Sequence, residues 1–423
     1  MKRFLIIVLA LCAAAAASAQ TWKHVPELEA ALREDIARAG NNNYTYHHGD
    51  LRDTPPPAGY KPFYISHYAR HGSRHSWGDK YYVLILDVLH KADSLGILSP
   101  GGRDAMQQTA EVLEAWNGMD GRLSQRGVRE HRDMGHRMVK RFPAVFKGTP
   151  CIRAIASTVQ RSIISMNAFT NAVSADRPRT QWYLDTGERF MDYISDTGHR
   201  LPICKELAKP LYEHLWDAPC DSTYILRQFF TDPDAARALI PSLDVFNHAL
   251  YRTATISGCW DIEERILPQM QFEYLYRFCV AEGNDQFARY GSCAEVGFER
   301  FDSAHLLLDD IVAKADEAIA GGEYRADLRF GHDYPLLMLC ACLGVEGPGS
   351  RIPFDEVEAR WWCWRELSMG SNLQMIFYRN RAGRVLVKFL YQEQERALRN
   401  LESVSGPYYD WETVKANIQG YRR

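Results

Sequence analysis

The chain lacks most of what marks a membrane, fibrous or nucleic-acid-binding protein. Past its first residues no apolar run is long enough to span a bilayer. No internal repeat, low-complexity tract or block of like charge is present, which sets aside solenoids and disordered tails. Formal charge is only −3 over 423 residues, which argues against nucleic acid as the main partner. A metal motif is missing too. His67, His71 and His75 recur every fourth residue, but no acidic residue accompanies them at a zinc-like spacing. The preceding Phe63-Tyr64-Ile65-Ser66 favours a strand and Gly72 a turn, so these histidines do not read as one helix face.

What is present is the composition of a soluble globular chain, 46% hydrophobic and 24% charged. Its length exceeds one ordinary core, so two lobes or a large insertion are expected. The single long apolar stretch is at the start. Lys2 and Arg3 precede an apolar core from Phe4 to Ala16, and Ala17-Ser18-Ala19 gives a small-residue cleavage site. This reads as an export leader over residues 1–19, with a mature chain from Gln20 that is periplasmic or secreted and not membrane-bound. Losing Lys2 and Arg3 moves the formal charge from −3 to −5. Nine cysteines remain after Cys12 departs with the leader. Cys204 and Cys220 bracket a loop-like stretch and are the more plausible pair, whereas Cys340 and Cys342 sit in an apolar helical run and read as core.

The pattern along the chain alternates strand and helix. A helical piece around Glu27 to Arg38 leads in, and Lys61 to Tyr68 reads as a buried strand. Helices follow at Tyr81–Leu95, Arg103–Trp116 and Ser124–Phe142. Cys151 to Ala156 is a second short strand, after which Ser157 is expected to cap a helix carrying Arg161, Ser165 and Phe169. Between Asp192 and Asp302 aromatic and aliphatic residues fall at helical spacings and β-branched runs are scarce. The sheet resumes at Leu328–Gly331. It closes with a hairpin, Leu373–Arg379 and Arg384–Tyr391, around Asn380-Arg381-Ala382-Gly383. The expected fold class is α/β: a mixed β-sheet core flanked by helices on both faces, with an inserted, mostly α-helical domain. The expected division is a core of residues 20–191 and 303–423 and an insertion of 192–302.

The chemistry concentrates in two places. Arg70-His71-Gly72-Ser73-Arg74 follows the first strand directly, and Gly331-His332-Asp333 follows a later one. Two arginines flanking a histidine suit a doubly charged phosphate, since each guanidinium is a permanently charged planar fork. A neutral imidazole can attack phosphorus. The expected roles are therefore His71 as nucleophile, with Arg70, Arg74 and Arg161 neutralising the equatorial oxygens and His332, if protonated, as a fourth donor. Asp333 is the adjacent acid for the leaving oxygen, best served by acidic pH or a pKa raised by the phosphate.

These two segments resemble the histidine phosphatase superfamily in its acid phosphatase branch, which includes phytases and multiple inositol polyphosphate phosphatases. The similarity extends to Leu123-Ser124-Gln125-Arg126-Gly127 with His131, Gly135 and Arg137, to Ser157–Phe169, and to Asn372–Lys388, and covers about Phe63 to Gln392. It implies an α/β core with an inserted α-domain, a site in the cleft between them, and no metal or organic cofactor. It gives His71 as nucleophile, Arg70, Arg74, Arg161 and His332 as phosphate ligands, and Asp333 as proton donor. Two departures stand out. His75 and Ser76 replace the usual small or aromatic residue and Pro. His332-Asp333 stands where inositol polyphosphate phosphatases often carry His-Ala-Glu. His75 and Lys80 are candidates for contacting further phosphates. The substrate expected is a small phosphate ester, with inositol polyphosphates such as phytate leading. The alternatives are a broad acid phosphatase for sugar phosphates or nucleotides, and a catalytically silent phosphate- or carbohydrate-binding protein.

Overall fold

The computed structural model describes residues 24–195, 206, 209, 221–296 and 302–420. The expected leader and the Cys204–Cys220 pair lie outside the described residues. Eight strands form one mixed sheet: β1 (Lys61–Arg70), β2 (Cys151–Ala156), β3 (Gln181–Thr186), β4 (Tyr324–Gly331), β5 (Asn372–Arg379), β6 (Val385–Tyr391), β7 (Gln394–Glu395) and β8 (Tyr408–Asp410). Their order is β3-β2-β4-β1-β5-β6-β7, with β8 on β6. The pairs β1–β4, β2–β4 and β2–β3 are parallel, and β5 and β6 return antiparallel. The longer helices are α1 (Pro26–Glu34), α2 (Lys80–Ser94), α3 (Pro100–Trp116), α4 (Gln125–Arg141), α5 (Gln160–Asp176), α6 (Leu243–Ser257), α7 (Phe272–Tyr290), α8 (Asp302–Ile319), α9 (Asp333–Leu343) and α10 (Trp411–Gly420).

Strand alternation explains the layers. In β1, Ile65 and Ala69 face one side of the sheet with Ile152, Ala154, Leu328 and Phe330, where Met134, Met138, Met166 and Phe169 of α4 and α5 cover them. Tyr64 and Tyr68 face the other side, against Leu307 and Ile311 of α8 and Leu336 and Leu339 of α9. That side also buries charge, paired throughout: Arg153 with Asp327 and Glu317, Arg329 with Asp310, and the Tyr64 hydroxyl donating to Asp327. Cys340 and Cys342 are buried in α9. The strand-ending hairpin is where the sequence placed it, with Gly383 in the left-handed region (φ 83).

A third cluster is mostly helical. It joins Phe246 and Leu250 of α6 and Tyr274 and Leu275 of α7 to Leu28 and Leu32 of α1, Ile85 and Leu89 of α2 and Ala105 of α3. Helices from the first 116 residues thus share a core with those between residues 221 and 290. The lead-in helix is shorter than its apolar pattern suggests. Asp35 is extended (φ −145) and its side chain accepts from Ala37 N, starting a separate 3-10 segment at Ile36–Asn43. The edge strand β3 was not anticipated: it is short, and Tyr183 and Leu184 of its apolar run stand exposed. Among the described residues no helix is long and apolar enough to cross a membrane.

Candidate active site

The parallel strands β1, β4 and β2 end side by side, with Arg70 opposite Gly331 and Ala156 opposite Phe330. Ligands of open α/β sheets bind beyond such carboxyl ends. The backbone there is tightly cross-linked: His71 N donates to Gly331 O (3.0 Å) and Ser157 N to Phe330 O (3.0 Å), while Gly370 N donates to His71 O (3.0 Å). Gly331 has no room for a side chain, because a Cβ would collide with the Tyr68 hydroxyl.

The loop after β1 is held by the start of α4, so two of the sequence motifs form one structural unit. Ser124 caps α4 by accepting from Gly127 N (3.2 Å), and both its backbone N and its hydroxyl donate to Ser73 O (2.9 Å each). A Cβ on Gly72 would stand 2.7 Å from Gly127 Cα, and one on Gly127 would strike the Ser73 backbone. These two glycines let loop and helix touch. Beneath them Glu130 accepts from Ser73 N and Ser73 Oγ (2.7 Å each) and from Tyr46 N (3.2 Å). Gly72 N donates to Ser165 Oγ (3.1 Å).

His71 is 3% exposed, and its Nδ1 lies 2.9 Å from Gly72 O. A carbonyl only accepts, so Nδ1 carries the proton and Nε2 keeps its lone pair. Burial, and then the charges of Arg161, Arg70, His332 and Arg74, push its pKa well below 6.5. The ring is therefore neutral in mild acid.

Arg70 is 1% exposed. Its Nη1 donates to Asn42 O and Leu367 O (2.7 Å each) and its Nη2 pairs with Asp333 Oδ2 at 3.1 Å. Arg161 and Arg74 are half-buried, and burial together with neighbouring guanidinium charge lowers the pKa of both. Among the described residues the buried Nε groups of Arg70 and Arg161 have no hydrogen-bond partner. His332 meets Ser157 Oγ through Nε2 (3.1 Å), and its ring centroid is 5.7 Å from that of His71. Burial and then the charge of Arg161 lower its pKa to about 3. For Asp333 burial raises the pKa, but Arg70, His332 and Arg74 outweigh it and leave the carboxyl below its ordinary value.

Six of the expected residues thus come together: Arg70, His71, Arg74, Arg161, His332 and Asp333. His75 and Lys80 stand apart from them. His75 is 5% exposed with its ring 5.0 Å from Trp260, and burial pushes its pKa down to about 4. Lys80 opens α2 in an exposed position, its Nζ over the Tyr81 ring (4.8 Å), in a groove with Leu84, Asp244 and His248. His67 lies in the core against Phe169 (5.4 Å), so the three spaced histidines occupy three environments. Among the described residues no group of three or more His, Cys, Asp or Glu is placed to hold a metal.

No protein-family model matches the sequence, and no curated protein does. Solved structures do match. The multiple inositol polyphosphate phosphatase of Bifidobacterium longum, in complex with inositol hexasulfate, aligns with a TM-score of 0.73 at 16% identity, over 90% of this chain and 97% of that one. Its phosphate complex gives 0.70 at 17% identity with the same coverage. The phytase from D. castellii gives 0.69 at 12% identity, over 92% of this chain and 86% of that one. The chain has the histidine acid phosphatase fold. At such identities the similarity speaks for architecture, and the arrangement of side chains within this histidine acid phosphatase fold is this chain's own.

Sequence reasoning missed several neighbours of the cluster. Ser157 does not cap α5, whose cap position is Val159; its hydroxyl goes to His332 instead. Glu130 and Ser165 support the loop after β1 from helices 57 and 93 residues away. Trp77 lies beside Arg161 and Arg74, 5.0 and 5.9 Å from its ring centroid. The available signal for Trp77 was a large aromatic in a Gly-containing loop three residues past the motif arginine.

Proposed function

We propose that the protein is a phosphomonoester hydrolase that works through a phosphohistidine on His71, with inositol polyphosphates of the phytate type as substrates. The observation that carries this reading is the His71 ring itself. Its Nδ1 proton is committed to Gly72 O, and burial together with the charges of Arg161, Arg70, His332 and Arg74 keeps it neutral. The Nε groups of Arg70 and Arg161, unpartnered among the described residues, are donors suited to phosphate oxygens. The substrate class is supported by the neighbours' own ligands and names, inositol hexasulfate, phosphate and phytase.

In the first step Nε2 forms a bond to phosphorus as the ester P–O bond breaks, and Asp333 gives its proton to the leaving oxygen. In the second step water attacks the phosphohistidine, Asp333 takes a proton back, and inorganic phosphate leaves. Asp333 begins ionised beside Arg70. An incoming phosphate dianion competes for that guanidinium and raises the carboxyl's affinity for a proton. Export through a leader at residues 1–19, and a division into a core (20–191, 303–423) with an inserted helical unit (192–302), belong to the same proposal.

Phosphate release by the mature chain from phytate, an aryl phosphate, sugar phosphates and nucleotides, from acidic to neutral pH, tests it. Preferential turnover of phytate is expected. Equal or better turnover of simple esters would move the assignment to a broad acid phosphatase. Binding of phosphate without turnover of any ester would make the silent binding protein the better account.

A further inference from the structure

Trp77 is 61% exposed, an unfavourable setting for a large apolar ring unless something covers it. Its loop is not loose. Gly78 N donates to Asp120 Oδ1 (2.6 Å), Gly121 N to Ser76 O (2.9 Å) and Trp116 Nε1 to the same carbonyl (3.3 Å). The indole lies against the Gly121 backbone, where a Cβ would come within 2.7 Å of ring atoms. Arg161 and Arg74, two of the proposed phosphate ligands, sit over the ring at 5.0 and 5.9 Å from its centroid. The fold therefore pins an aromatic plate beside the phosphate-binding guanidiniums and leaves much of it open to solvent.

We infer that Trp77 is a specificity-determining residue, the surface on which the alcohol half of the ester lies. This rests on the phosphatase reading and deepens it. With the phosphoryl group held between His71 and the arginines, the alcohol projects from the phosphate cage past the indole. A flat alcohol, whether a cyclitol through its C–H face or an aryl group through its ring, covers the indole. A short linear alcohol does not. The guanidiniums over the ring offset repulsion between its π electrons and further phosphates on a polyphosphorylated cyclitol. Trp77 thus selects phosphate esters of ring-bearing alcohols.

The test compares wild type, Trp77→Ala and Trp77→Phe on phytate, p-nitrophenyl phosphate and glycerol phosphate, with inhibition by inorganic phosphate measured alongside. Trp77→Ala is expected to lower kcat/KM about tenfold for both ring esters and less than about threefold for glycerol phosphate and for phosphate inhibition. Trp77→Phe should restore most of the loss. An equal loss on all three esters with weakened phosphate inhibition would overturn the inference, since Trp77 would then only hold the arginines. No change on any ester would overturn it too. Calorimetric titration with inositol hexasulfate and with inorganic phosphate reads Trp77 without turnover. Wild type should bind the hexasulfate about tenfold more tightly than Trp77→Ala and phosphate with nearly equal affinity. Absence of turnover in wild type would sink the phosphatase reading, while this titration would still decide the inference.

Discussion

Asp333→Asn keeps the side chain's volume and removes its proton chemistry. Asp333 Oδ2 lies 3.1 Å from Arg70 Nη2, and Arg70, His332 and Arg74 together hold the carboxyl below its ordinary pKa although burial raises it. A unit of phosphate charge about 4 Å away disfavours the carboxylate by about 4 kcal/mol at an effective dielectric near 20. That corresponds to about three pKa units, enough to offset the arginines and let Asp333 hold a proton once the ester is bound. Losing the donor should slow an alkyl ester such as phytate about a hundredfold to ten-thousandfold in kcat, the usual range for a general acid. An aryl ester, whose leaving group needs little protonation, should slow far less. Removing a carboxylate beside Arg70 should also tighten binding of anions. Steady-state kinetics on both esters, with phosphate as inhibitor, check all three expectations. Equal slowing of the two esters, or weaker inhibition by phosphate, would refute this role for Asp333.

Glu130→Ala removes the acceptor of the Ser73 N, Ser73 Oγ and Tyr46 N bonds and should cost about 1–3 kcal/mol of stability by leaving buried donors unpaired, measured as a shift in urea midpoint. Gly127→Ala drives a Cβ into the Ser73 backbone and should depress kcat/KM on every ester, because the loop carrying His71 must move. His67 and His131 are buried near Phe330 with pKa values pushed down from 6.5 to about 3 and about 4. Folded values below the unfolded one mean that their contribution is whole above pH 6.5 and drains as pH falls toward 4 and then 3. At about 1.4 kcal/mol per unit, several kcal/mol should be lost across that window, visible in urea midpoints measured at neutral and acidic pH. The same sign applies to His71 as a nucleophile: kcat/KM should show no loss assignable to its protonation near pH 6.5, because its pKa lies well below.

The site was legible where chemistry and local pattern coincide. An alternating strand running into Arg70-His71-Gly72, and a second into Gly331-His332-Asp333, place both motifs at strand ends, and parallel pairing of β1 with β4 does the rest. Arg161 was reachable because Cys151–Ala156 repeats the strand-to-helix pattern. What stayed hidden depends on contacts between distant segments. A helix's apolar face announces that something covers it but not what, so the packing of α1, α2 and α3 with α6 and α7 carried no local signal. Strand β3 carries Trp182-Tyr183-Leu184 at the edge of the sheet beside β2, with Tyr183 and Leu184 exposed, so it lacks the alternation of a half-buried strand. His75 looked like a loop residue facing substrate, yet it turns inward onto Trp260, while its neighbour Trp77 stays out. Arg70 read as a phosphate ligand, and the structure adds that Nη1 also ties β1 to Asn42 and Leu367.

The most direct test of the central claim is rapid acid-free quenching of the enzyme turning over a radiolabelled ester, followed by peptide mapping. The account predicts acid-labile, base-stable phosphate on the His71 ring, absent in His71→Ala. Turnover at full rate with no label on that ring, or label on another side chain, would contradict it.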